Sequence, residues 1–157
     1  MEKNQVSKRG LVLKYGLITV FMLIVYFAIM AVFGLIGYSA LRIINYPLIA
    51  LGVFLAIREL KQKRNDNNVG YLEGFSTGFV IVIFTAILFS IFVFIYARFI
   101  NPNFIELIWP NPFSHNKDSN DVAFGMYTFG ETLIFGVILV LIVMMFFKND
   151  GSPESEG

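Results

Sequence analysis

Long apolar runs separated by short polar stretches set the pattern of this chain. Residues 17–36 form one such run, without charge and with only Thr19 and Tyr26 as polar interruptions. Residues 75–97 form a second, longer run, again without charge. Residues 132–147 are almost purely aliphatic and aromatic, and 122–130 extend that run backward past Glu131. About 20 apolar residues cross a ~30 Å hydrocarbon core as a helix, so each run predicts a transmembrane helix. A fourth run, 43–57, is short, bounded by Arg42 and Arg58, and carries Asn45 and Pro47. Both arginines can snorkel to opposite headgroup layers, which favours a true span. A re-entrant segment is the alternative. Pro47 is expected to free one backbone carbonyl and to kink this helix near its outer end.

The expected architecture is therefore all-α: an integral membrane bundle of four helices, with spans at about 15–37, 40–59, 72–99 and 124–147. These lie in a single transmembrane domain, 1–148. Residues 149–157, rich in Ser, Glu and Gly, read as a disordered tail. The basic N-terminal stretch followed by an apolar run imitates a signal peptide. Its apolar part exceeds the usual h-region of about 7–15 residues, so it reads as an uncleaved first span.

Composition agrees with lipid as the solvent. The 157 residues are 57% hydrophobic and only 15% Asp, Glu, Lys and Arg, with a mean hydropathy of +0.71. That leaves too few polar residues to cover a water-soluble core of this size. The net charge of +1 gives no bulk argument for nucleic acid or an acidic partner. Cys is absent, which excludes disulfides, thiolate metal sites and a cysteine nucleophile.

The position of the charges is more informative than their sum. With four spans, Lys3, Lys8, Arg9, Lys14, Arg58, Lys61, Lys63, Arg64 and Lys148 fall on one side. Arg42, Arg98 and Lys117 fall on the other. The positive-inside rule then places both termini in the cytoplasm, N-in/C-in. The basic half of the loop after residue 58 reads chiefly as a topology determinant, with a lipid or partner dock as the alternative. In the outer loop, Pro102, Pro110 and Pro112 forbid one long helix. Residues 103–109 can still make one or two interfacial turns.

Candidate chemistry is sparse. Gly74-Phe75-Ser76-Thr77-Gly78 matches the nucleophile-elbow pattern, but it opens an apolar helix instead of a strand-to-helix turn. The single histidine, His115, falls in the outer loop, about a bilayer away from Ser76. No catalytic, cofactor or metal site is expected. Gly74 and Gly78 share a helix face that admits a close neighbour, as do Gly52 and Ala56, and the two faces are expected to meet. Glu73 reads as a carboxylate complementing the N-terminal dipole of the third helix.

Glu131 stands several residues inside the last apolar run. Intramembrane carboxylates are costly and are functional candidates by default. Arg42 and Arg98 occupy the same outer level, so an ion pair between Glu131 and one of them is expected. One reading makes Glu131 a proton- or cation-coupling carboxylate. The other starts the last helix at Glu131, with its carboxylate at the helix N-terminus reaching headgroup water.

Several strings resemble a family of small bacterial membrane proteins, domain of unknown function 4199. They are Ala56-Ile57-Arg58, residues 71–79 (YLEGFSTGF), residues 96–104 (YARFINPNF) and the closing Phe147-Lys148. The layout matches along nearly the whole chain, the specific strings from about 56 to 104. The chain departs from the family at 109–121, where a proline-broken stretch replaces a longer helical segment. The resemblance implies four helices in a bacterial cytoplasmic membrane, commonly in Bacteroidetes-type organisms, and no established activity.

These readings point to a structural or accessory membrane component, not an enzyme, that acts through protein or lipid contacts. Its partners are membrane lipid and either a second copy or another membrane protein, with no nucleic acid. The alternative is a small oligomeric transporter or channel using Glu131. The spans supply few polar side chains for it, chiefly Thr19, Tyr26, Asn45, Ser76, Thr77, Thr85, Ser90 and Thr132.

Overall fold

The computed structural model describes residues 8–63, 70–108 and 117–148, and these are helical almost throughout. Helix α1 is Lys8–Val32, α2 Asn45–Gln62, α3 Tyr71–Ile95, α4 Phe104–Ile108 and α5 Lys117–Lys148. A 3₁₀ turn, Ser39–Ile44, leads into α2, and a π turn, Tyr96–Ile100, ends α3. Four helices are long and apolar enough to cross a membrane: Lys8–Val32, Leu41–Gln62, Tyr71–Ile100 and Asn120–Phe147. The tail 149–157, Arg64, Trp109, Pro110, Pro112 and His115 lie outside the described residues.

Local chemistry moves several ends from where hydropathy puts them. Helix α1 stops five residues before the expected residue 37 because Gly34 adopts φ +67°. The Leu35 N–H bonds the Met30 carbonyl (2.9 Å) and the Gly34 N–H bonds that of Ala31 (3.2 Å), a Schellman closure. At its other end α1 starts at Lys8, so Lys14 lies within the helix. The second span is longer than the apolar run 43–57, since the 3₁₀ turn feeds directly into α2. Pro47 is the third residue of α2.

The largest difference concerns the last helix. It begins at Lys117 and runs for 32 residues, so Glu131 is not at its N-terminus, and the dipole-capping account of that carboxylate is overturned. Seventeen residues of rise put Glu131 about 25 Å from Lys148, near the far boundary of a ~30 Å core. The residues before it continue the helix outward, where Phe124 meets Phe104 of α4.

Helix α3 is central. It packs most extensively on α5, then on α1, and also touches α2, while α2 bridges α1 and α5. Leu23, Val53, Ile57, Ile81, Val82 and Val140 form the closed interior, each at most 1% exposed. Lipid tails are as apolar as these side chains, so close packing must hold the helices together. Glycines supply it. A methyl at Gly52 would overlap the Thr19 hydroxyl, and one at Gly136 would overlap Val82. At Gly78 it would sit 2.9 Å from Val140 Cγ1 and 3.1 Å from Val53 Cγ1. At Gly16 it would meet Phe84 Cδ1 at 2.5 Å. Gly52, Ala56, Gly74 and Gly78 are all buried. The two glycines at the centre of the small-residue faces have different nearest neighbours. Gly52 faces Thr19 of α1, and Gly78 lies between Val140 of α5 and Val53 of α2, because α1 occupies the side of α2 on which Gly52 lies.

Candidate functional site

The charged side chains gather at the two ends of the bundle, here called proximal (the end where α1 starts) and distal. At the distal end Arg42 Nη2 donates to Glu131 Oε2 at 2.6 Å, and the Tyr46 hydroxyl donates to Glu131 Oε1 at 2.8 Å. Both carboxylate oxygens are thus occupied. The guanidinium also stands 5.8 Å from the centre of the Tyr127 ring, within cation–π range. The Arg42 and Glu131 side chains retain 25% and 17% of their exposure, so the pair is only partly enclosed by the protein.

Arg98, the other candidate partner for Glu131, is engaged elsewhere. Its Nη1 lies 3.2 Å from Oδ2 of Asp121, a carboxylate 98% buried at the side chain. Asp121 precedes Glu131 by ten residues, about 15 Å of helix rise, so Arg98 pairs one level further out. The π turn explains its placement: Asn101 N–H reaches back five residues to Tyr96 O at 2.9 Å, widening the helix where Arg98 projects.

Helix α4 closes this end. Phe104 and Ile105 are 1% and 4% exposed, so the short helix inserts one face into the bundle and leaves Leu107 60% exposed. The Phe104 ring meets Phe27, Tyr96 and Phe124 edge-on at 5.6, 5.2 and 5.4 Å. Tyr96 belongs to this cluster, packed on both Phe27 and Phe104. Beneath α4 and the 3₁₀ turn lies a cavity of about 50 Å³. Its apolar wall includes Phe27, Phe89 and Phe124, and its polar wall comprises Tyr26, Arg42, Asn45 and Thr128. The Tyr26 hydroxyl donates to the Leu41 carbonyl at 2.7 Å, whereas Asn45 Oδ1 and Thr128 Oγ1 are buried with no partner.

At the proximal end Glu59 collects three donors: Lys14 Nζ at 2.7 Å, Lys63 Nζ at 2.5 Å and the Tyr15 hydroxyl. Glu73 takes Lys8 Nζ at 2.8 Å, tying the start of α3 to the start of α1 in addition to any dipole effect. Ser76 of the G-x-S-x-G string donates to the Glu73 carbonyl at 3.1 Å in an ordinary helical turn. The required base, His115, lies outside the described residues. Among the described residues no three His, Asp or Glu side chains cluster to hold a metal ion.

Sequence reasoning did not single out Glu59, Tyr46, Asp121 or the Asn45–Thr128 pair as site residues. The usable signal was periodic: Thr128, Thr132, Gly136 and Val140 recur every four residues and form the buried stripe of α5. That stripe also identifies Gly136, which small-residue pairing overlooks.

No curated protein and no solved structure matches the chain. The family model described as "Protein of unknown function (DUF4199)" matches residues 14–149. This covers all four apolar helices except the first turns of α1, and the chain therefore belongs to that family.

Proposed function

We propose that this protein is a structural or accessory component of a bacterial cytoplasmic membrane, without enzymatic activity of its own, acting through contacts with other proteins or lipid. The observation that supports this reading is that each described acidic side chain in the spanning helices has a basic partner. Glu59 has Lys14 and Lys63, Glu73 has Lys8, Asp121 has Arg98, and Glu131 has Arg42. A coupling carboxylate must load and unload a proton or cation. Glu131 instead has both oxygens engaged by donors from the 3₁₀ turn and α2. The pair fastens the second span to the last one. An N-in/C-in orientation accompanies this reading. Lys8, Arg9, Lys14, Arg58, Lys61 and Lys63 crowd the proximal end, against Arg42 and Arg98 distally.

The alternative is a small oligomeric transporter or channel built on Glu131, favoured by the cavity bordered by its partner Arg42. Purified protein reconstituted into liposomes carrying a pH-sensitive dye separates the two. The accessory reading expects no proton leak above that of empty liposomes. A leak abolished by Glu131→Gln would overturn it in favour of transport.

A further inference from the structure

We propose that the distal cavity is a water-binding site, a one-sided hydrated vestibule that wets the Arg42–Glu131 pair from the distal face. Two unpartnered oxygens carry this. Thr128 is 4% exposed, lines the cavity, and its Oγ1 has no partner. Asn45 lines the same cavity, and its Oδ1 is also unpartnered. An unmet buried polar group costs roughly 1–3 kcal/mol, so two such oxygens on residues lining one cavity call for a donor.

Size and charge then select the donor. A cavity of about 50 Å³ holds a few waters, each needing about 10–15 Å³ on the same measure. It is far below the ~300–1,000 Å³ of organic ligand sites. A metal or ammonium cation would face the Arg42 guanidinium in the wall, and a simple anion has no proton to give Asn45 Oδ1. Water satisfies both oxygens.

Depth agrees with this choice. Thr128 stands twenty residues, about 30 Å of rise, from Lys148, which puts the cavity at the distal edge of the hydrocarbon. Towards the proximal end the interior closes with Leu23, Ile81, Val82 and Val140, each at most 1% exposed. The vestibule is therefore blind. It explains how an ion pair is tolerated at this depth: water beside the guanidinium lowers the desolvation cost of the pair. It assigns no transport, and so goes beyond the accessory reading without depending on it.

Methionine positions make the site measurable in the unmodified chain. Met30 lines the cavity at 9% exposure, Met144 is 2% exposed in the core, and Met22 lines a groove on the outer side of α1 and α2. X-ray radiolysis of the full-length protein in lipid nanodiscs generates hydroxyl radicals from bound water, which oxidise nearby methionines. Met30 is expected to oxidise several-fold faster than Met144 and Met22. In Asn45→Leu/Thr128→Val its rate should fall to theirs. A wild-type Met30 rate equal to that of Met144 would overturn the proposal, whatever the variant does. A fast Met30 rate that the double variant leaves unchanged would equally overturn the assignment of these two oxygens.

Discussion

The tightest constraints on this bundle are set by what glycine lacks. Val140 and Val53 leave no room for a side chain at Gly78, and Thr19 leaves none at Gly52. Thr19 Oγ1 is held in place by a 2.7 Å bond to the Tyr15 carbonyl, so it cannot readily turn away. Gly78→Leu and Gly52→Ala should each cost about 1–3 kcal/mol through overpacking, read as a lower melting temperature in detergent. Unchanged stability in both would contradict the packing described. Small-residue spacing in the sequence finds positions that turn out to be interior, but it does not single out Thr19 or Val140 as their neighbours. Gly16 escapes it, because it accommodates one large neighbour, Phe84, instead of a second small residue. That information is tertiary and has no local signature.

Helix number and type are legible from apolar run length, because lipid makes the requirement so simple: about twenty apolar residues, hydrogen-bonded within themselves. Helix ends are not, since polar residues can continue a helix wherever they find partners. Lys14 reads as a flank of the first span, yet it lies inside α1 because Glu59 receives it. Asp121 reads as loop, yet it is 1% exposed within α5 because Arg98 reaches it from the π turn. The same applies to α4, whose apolar residues suggest an interfacial turn, while Phe104 is in fact a plug among three rings. Edge-on ring pairs contribute about 0.5–1.5 kcal/mol each. Phe104→Ala should therefore destabilise the distal end more than Leu107→Ala, an exposed residue of the same helix. Local amide hydrogen exchange across 96–108 would register the difference, and equal effects would refute the plug.

For the molecule as a whole, the two ends differ in kind. The proximal end carries an excess of cations around Glu59 and Glu73, suited to an anionic leaflet where each such charge contributes about 1 kcal/mol. The distal end carries an aromatic cluster around Phe104 and two ion pairs at different depths. An even number of spans returns the chain to its starting side. The chain contains no Cys, so single introduced cysteines report sidedness without background. His115→Cys should react with an impermeant maleimide on intact spheroplasts, and Asn67→Cys only after lysis. The opposite pattern would invert the orientation, and labelling of both from outside would break the four-span topology.

The claim on which the functional reading turns is that Arg42 and Glu131 form a structural clasp between the second and last spans. A double-mutant cycle on thermal stability in nanodiscs tests it directly, using Arg42→Gln, Glu131→Gln and the double variant. Each single variant should lose roughly 1–3 kcal/mol, because its partner is left with an unmet charge or hydrogen bond. The double variant should lose clearly less than the two losses added together. Single variants as stable as wild type, or losses that simply add, would show that no clasp exists and return Glu131 to the coupling role set aside above.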